Sequence, residues 1–385
     1  AAAKEPFLAY ISLNAPHGPL HCPQKYLDLY KDQKPNVAAF FGMISNIDTN
    51  VGATRKLLAD LGISDNTIFI FTTDNGTAGG DKVFNAGMRG KKGSPYDGGH
   101  RVPMFIHWPD AGLNQHREID TLCHAVDVVP TLLKAGKVPN SAGVKFDGTS
   151  LFDLLDPNTD VEGEDRFLVT DSQRVVDPIK WKSSSVMSTQ YRLINGKELY
   201  DIKADPGQKK DIAKKNPEQV AKMRDFYDKW WADISPSFSQ TTEIYLGHPN
   251  DPVSTLTAHD WLNTGPPWNQ GHIRRGDAYD RKKATTQKKH TGHWAVKVVT
   301  DGTYEISALR WPAEANHPIN AGLPAGKNVP GSSKAFRTNV GQALPITQAA
   351  LRLNGKDIET KPVTDKDTRI TFTAKLSIGT HPPAP

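Results

Sequence analysis

The sequence predicts an α/β fold: a mostly parallel sheet sandwiched by helices, then a small antiparallel α+β subdomain and a C-terminal β module. Three observations carry this. Residues 1–160 alternate apolar, β-prone runs with segments of helical periodicity, the pattern of an α/β sheet. Thr67 to Thr72 is apolar almost throughout, as expected of a strand covered on both faces. From Phe167 onward the strand candidates become short and turn-separated. At roughly 150 residues per domain, 385 residues give two or three domains. The expected divisions are 1–160, 161–232, an irregular linker or wrapping segment at 233–290, and a β-sandwich-like module at 291–385.

The first strand expected is Phe7 to Leu13, followed by the Pro/Gly loop Asn14 to Pro19. A helix from about Val37 to Leu61 places Phe40, Phe41, Ile44, Ile47, Val51, Leu57 and Leu58 at three- and four-residue steps, with Gly62 as its C-terminal stop. Val102 to Trp108 reads as another buried strand. Asp127 to Ala135 reads as a short helix opened by an acid, with Pro130 in its first turn. Phe167–Thr170, Ser184–Ser188, Tyr191–Ile194 and Glu198–Tyr200 follow as strands, with Asn195-Gly196 a strong hairpin signal. A helix from about Pro217 to Trp231 closes this part. Ser235 to His290 lacks periodicity and carries the basic stretch Arg281 to Lys289. His293–Lys297, Gly302–Arg310, Ala349–Leu353 and Arg369–Leu376 suggest the final β module.

Composition narrows the function classes. Hydrophobic residues make up 37% and charged residues 23%, and no stretch approaches the ~20 apolar residues of a membrane-spanning helix. The net charge of +5 is spread along the chain, whereas a nucleic-acid binder concentrates its basic residues on one face. Neither nucleic acid nor a membrane is expected as a partner. Two cysteines, Cys22 and Cys123, make neither a disulfide framework nor a metal cluster.

Chemistry is expected in loops beyond the strand ends, where open α/β sheets bind ligands. After Thr67–Thr72 come Asp74 and Asn75, one charged and one neutral oxygen donor, suited to Ca²⁺ or Mg²⁺. The same dipeptides also form Asx or type I′ turns. His17, between Pro16 and Pro19, is held at a strand end where it suits a proton donor or an anion contact, or serves as an ordinary loop histidine. In the stretch from Gly87 to Pro103, glycines at 87, 90, 93, 98 and 99 allow backbone to approach a ligand, and Lys91, Lys92 and Arg101 supply positive charge. It is not a P-loop, since no Ser or Thr follows the Gly-Lys.

Together these segments resemble the carboxyl-terminal part of a formylglycine-dependent sulfatase (arylsulfatase), in the alkaline-phosphatase-like superfamily. The resemblance covers residues 7–232. It rests on the ordered series of strand plus Pro16-His17-Gly18-Pro19, the helix around Asp48, Phe71-Thr72-Thr73-Asp74-Asn75-Gly76, and Arg89 to Pro103. Trp108-Pro109, Asp127 to Leu133 and the segments from Tyr191 to Gly207 complete it. The resemblance implies Asp74 and Asn75 as ligands of a divalent cation, Ca²⁺ with Mg²⁺ as the alternative. It implies His17 and Lys92 as catalytic contacts to the sulfate ester. Lys92 fits better than Lys91 because the family lysine directly precedes the Gly-x-x-Tyr-acid-Gly-Gly run. Asp97 stands where Glu is commoner, a departure expected to alter a supporting contact.

The family nucleophile is a formylglycine made within Cys/Ser-x-Pro-x-Arg. Here Cys22 is followed by Pro23 and Cys123 by His124-Ala125, and neither that motif nor an Asp-Asp pair occurs. The missing features form one contiguous block in the family. The expectation is therefore a sulfatase fragment, inactive alone, acting as part of an enzyme on an aryl or carbohydrate sulfate in the periplasm or outside the cell. The alternatives are a non-catalytic binding module derived from a sulfatase, and a phosphodiesterase or phosphonate hydrolase of the same superfamily. Six of the eight tryptophans lie at 230, 231, 261, 268, 294 and 311, either packed between modules or available to stack on sugars.

Overall fold

In the computed structural model, the described residues form 13 strands distributed over five small sheets. The structure describes residues 5–156, 165–173, 175, 177–262, 270–275, 292–331 and 340–381. The chain divides into two units. The first comprises Ala1–Gln173, Ile179–Asp233 and Pro330–Ser333; the second comprises the rest.

The first unit opens differently from expectation. Phe7 to Leu13 joins no sheet and is exposed throughout. Apolar, β-prone residues set a preference for extended backbone, but a strand forms only where a neighbour takes its N–H and C=O groups, and none does so here among the described residues. The loop after it is fastened through Cys22, whose N–H donates to Gly331 O at 3.0 Å. Cys22, Tyr26 and Met43 form a small core.

The helix Pro35–Asp60 starts on Pro35, whose fixed φ suits the first helical position, and stops at Leu61 before Gly62, which has φ +67°. Only its first turns are buried, at Ala38, Ala39, Phe40, Gly42 and Met43. β1 (Phe69–Thr72) and β2 (Met104–His107) follow, and they pair antiparallel, with Phe71 opposite Phe105. This corrects the expectation of a mostly parallel sheet in this segment. The apolar run encodes burial, and burial carries no information about strand direction. The helix Val128–Ala135 forms as anticipated, after Asp127.

The antiparallel subdomain matches its expectation. β3 (Leu168–Asp171), β4 (Ser184–Met187), β5 (Tyr191–Ile194) and β6 (Glu198–Asp201) form one sheet in sequence order. Asn195 (φ +50°) and Gly196 (φ +65°) make the left-handed two-residue turn between β5 and β6. The helix Pro217–Ile234 covers one face. Val186, Leu193, Leu199, Met223 and Tyr227 are fully buried between them, each aliphatic side chain contributing about 1.5–3 kcal/mol. Tyr227 stacks on Trp181 at 3.8 Å and donates its hydroxyl to Asp171 Oδ2 at 3.0 Å. Trp230 and Trp231 pack around it.

The second unit is largely β. β7 (Ile244–Leu246), β8 (Val296–Val298) and β13 (Gly379–His381) form one sheet, in which β7 and β8 run parallel. β9 (Gly302–Ala308) pairs with β12 (Ile370–Leu376), and β10 (Gln348–Leu353) with β11 (Lys356–Pro362). β12 alternates buried and exposed residues, and Phe372 and Ile370 join Ile319 and Val363 in its core. The basic stretch Arg281–Lys289 and Trp268 lie outside the described residues. No described helix is long and apolar enough to cross a membrane.

Candidate active site

β1 delivers Asp74 and Asn75 to its carboxyl end. Asp74 is exposed and Asn75 half-buried, and Asn75 Nδ2 donates to Asp74 Oδ2. Neither Asn75 nor Gly76 has positive φ, so the pair does not form the left-handed hairpin turn that its dipeptide also allows. The next residues are held by the glycine-rich loop: Gly76 N donates to Gly99 O at 2.9 Å, and Lys92 N donates to Thr77 O at 2.9 Å. These two bonds tie the glycine-rich loop to the residues that follow Asp74 and Asn75.

The glycines do this by backbone-on-backbone packing. A Cβ on Gly76 would stand 2.0 Å from Gly98 O, one on Gly98 2.4 Å from Gly90 O, and one on Gly99 2.0 Å from Ser94 O. The expectation that all five glycines clear space for a ligand is therefore corrected at Gly98 and Gly99, which are required by the loop's own fold. Gly87 and Gly93 have positive φ and open surroundings.

The two lysines differ. Lys91 Nζ lies 3.7 Å from Asp81 Oδ2, whereas Lys92 is half-buried with no carboxylate partner among the described residues. His17 is exposed, and its Nδ1 donates to Gly18 O at 2.7 Å. No hydrogen bond or ion pair joins His17 to the loop of Lys92 among the described residues. Of the four anticipated residues, Asp74 and Asn75 are joined by a side-chain hydrogen bond, and Lys92 is tied through its backbone N–H to Thr77 O.

The loop is fastened from behind by groups that the sequence reading passed over or named only as a departure. Asp97 is fully buried; its Oδ1 accepts from Arg192 Nε at 3.0 Å and its backbone N–H donates to Gln208 Oε1 at 2.9 Å. Burial pushes the Asp97 carboxyl up, but His100 and Arg192 outweigh it and hold it below the ordinary carboxylate range. Burial in turn lowers Arg192, against the pull of Asp97. Arg89 lies 3.8 Å over the Tyr96 ring and donates to Tyr200 Oη at 2.9 Å and Gln208 O at 3.0 Å. Tyr96 and Tyr200 both donate to Glu198 Oε2, at 2.9 and 2.6 Å. Burial first, and then Glu198, push the Tyr200 phenol up. The only cue in the sequence was the aromatic and charged density of Arg89 to Arg101 and Tyr191 to Asp201; their pairing spans about a hundred residues.

A second buried carboxylate braces the region beyond β2. Asp127 accepts from Arg166 Nη1 at 2.8 Å, from His124 N at 2.8 Å and from Thr149 N at 2.9 Å.

A divalent cation here would have Asp74 Oδ and Asn75 Oδ1 as hard oxygen donors, and the donor chemistry fits. Two ligands are part of a set of six to eight for Ca²⁺, and no group of three or more His, Cys, Asp or Glu surrounds one point among the described residues. Neither cysteine fits the nucleophile. Cys22 is 1% exposed, with its thiol pushed up by burial, and neither Cys22 nor Cys123 lies in the required sequence context.

Comparisons with known proteins give the chain's likenesses. Residues 1–138 match the model of the sulfatase family, and residues 91–229 match that of the N-sulphoglucosamine sulphohydrolase C-terminal region. The chain is 26% identical over 302 residues to an arylsulfatase of Clostridium perfringens, covering 66% of this chain and 58% of that protein. It is 32% identical over 154 residues to the uncharacterized sulfatase YdeN of Escherichia coli, covering 39% of this chain and 27% of that protein. Among solved structures it is similar to Ps i-CgsB, with a TM-score of 0.52 and 26% identity over 61% of this chain and 52% of that one. The chain thus spans 27% and 58% of the length of these two curated relatives. The two family models together run over residues 1–229, and over that stretch the chain is similar to sulfatases.

Proposed function

We propose that this chain supplies the cation-binding and sulfate-binding half of a sulfuric ester hydrolase acting on an aryl or carbohydrate sulfate. The observation that supports this most directly is that Asp74 and Asn75 stand at the carboxyl end of β1 while Lys92, with no carboxylate partner among the described residues, is tied by its backbone N–H to Thr77 O a few residues further on. A sulfate ester gathers negative charge on its non-bridging oxygens and leaving oxygen as the ester bond breaks, and preorganised positive groups lower that barrier. Lys92 would neutralise non-bridging oxygens, and His17 Nε2 would face the leaving oxygen. A cation held by Asp74 and Asn75, Ca²⁺ with Mg²⁺ as the alternative, supplies further charge stabilisation. The formylglycine nucleophile of the family is not among this chain's residues. We further propose a periplasmic or extracellular location, following the family resemblance.

The test is binding. Residues 1–385 in Ca²⁺ are expected to bind an aryl sulfate by NMR titration without turning it over, and Lys92→Ala to abolish that binding. Failure to bind any sulfate ester in Ca²⁺ sinks the functional assignment, and turnover by 1–385 alone sinks the placement of the nucleophile outside it.

A further inference from the structure

We propose that an open cleft beside the β5–β6 turn is a second anion site, which takes a sulfate group carried on a saccharide. The cleft is about 610 Å³ and is built from no residue of the 73–101 loops. Lys197, Lys214 and Arg224 line it, beside an apolar wall that includes Pro217 and Val220.

The charge balance of this cleft is the argument. Two carboxylates also line it, and each already has a cation: Asp225 Oδ2 is 2.6 Å from Lys229 Nζ, and Asp228 Oδ1 is 2.8 Å from Lys180 Nζ. Lys197 and Lys214 are exposed and have no carboxylate partner among the described residues. Arg224 is fixed by the turn, with Nε and Nη2 both donating to Gly196 O, which leaves its remaining terminal nitrogen for a ligand. The cleft therefore presents one positioned guanidinium and two mobile ammonium groups whose charge nothing in the cleft cancels.

Such a set matches an oxyanion, which a guanidinium binds directionally and lysines bind as point charges. The apolar wall suits the carbon face of a sugar ring carrying that oxyanion. The choice of sulfate rests on the reading of the chain as acting on sulfate esters. The site would hold a neighbouring sulfate of a multiply sulfated chain, away from the ester contacted by Lys92.

The probe is a sulfated oligosaccharide titrated into residues 1–385 by calorimetry, against its desulfated counterpart. Saturable binding is expected for the sulfated form alone, weakening as salt is raised. The double variant Lys197→Ser, Lys214→Ser is expected to weaken it at least tenfold with unchanged circular dichroism. Lys203→Ser, an exposed lysine outside the cleft, should leave it unchanged. Equal affinity of the double variant and the wild type, or equal binding of the desulfated form, overturns the proposal. Loss of binding in Lys92→Ala but not in the double variant also overturns it while the functional reading stands. Binding that depends on Lys197 and Lys214 in a chain showing no Lys92-dependent binding retains the cleft and removes that reading.

Discussion

Asp97 and Arg192 meet as a buried ion pair, with Arg192 Nε 3.0 Å from Asp97 Oδ1, although 95 residues separate them in sequence. One end belongs to the glycine-rich loop that carries Lys92, the other to β5 of the antiparallel sheet. Asp97 is 0% and Arg192 5% exposed, so both ends depend on each other for compensation of charge. The pair joins the candidate site to the best-packed core of the first unit.

Removing one member should therefore cost more than a surface pair would. Asp97→Asn leaves the Arg192 guanidinium buried without its carboxylate, and about 3–5 kcal/mol of stability should be lost. The double change Asp97→Leu, Arg192→Met should recover most of it, because no uncompensated charge remains. Urea denaturation monitored by fluorescence checks both; an unchanged midpoint for Asp97→Asn contradicts the stated role of the pair.

The glycines should separate into two classes. Gly99→Ala forces a Cβ to 2.0 Å from Ser94 O, backbone that has no flexible end to yield, and a loss of about 2–3 kcal/mol or more is expected. Gly87→Ala meets nothing within 4 Å, and only its φ of +72° opposes the methyl, so a loss of about 1 kcal/mol is expected. Thermal melts of the two variants should rank in that order.

Stability should depend on pH through His124. Burial lowers its pKa below the ordinary value of about 6.5, with His100 and Arg166 adding to the fall and Asp127 opposing it. Because the folded value lies below the unfolded one, the unfolded chain binds the proton first. Stability should fall as pH drops below about 6.5 and continue to fall until the folded value is passed. Asp97, whose folded value is depressed, acts at lower pH: its contribution is present above the unfolded value near 3.9 and is lost as pH falls through the folded one. His124→Gln should flatten denaturation midpoints between pH 7 and 5 while leaving the acid limb, and persistence of the upper slope in that variant would assign it to another group.

Calcium should stabilise the first unit through Asp74. If Asp74 and Asn75 hold the cation, 10 mM Ca²⁺ should raise the melting temperature by mass action and EDTA should reverse it. Asp74→Ala should abolish the response with little effect on the melting temperature without metal, since Asp74 is exposed. A Ca²⁺ response of equal size in Asp74→Ala would place the ion elsewhere.

The sequence by itself determined the α/β class, the long helix from about Val37 with its Gly62 stop, and the Asn195-Gly196 hairpin, and it named Asp74, Asn75, Lys92 and His17 as candidates. These are local signals, since periodicity, caps and turn dipeptides are set by residues a few positions apart. It missed β7, β11 and β13: three residues are too few for a period in β7 and β13, and Lys356 to Pro362 is a polar run paired only with β10. Tertiary structure alone decided the antiparallel direction of β1 and β2, the absence of a strand at Phe7 to Leu13, and the salt bridge of Lys91 to Asp81. It also decided that Gly76 packs on the backbone of Gly98 and Gly99 and that Asp97 reaches Arg192. Strand direction and long-range ion pairs are properties of how the chain returns on itself, and no periodicity or dipeptide records which distant backbone will supply the partner.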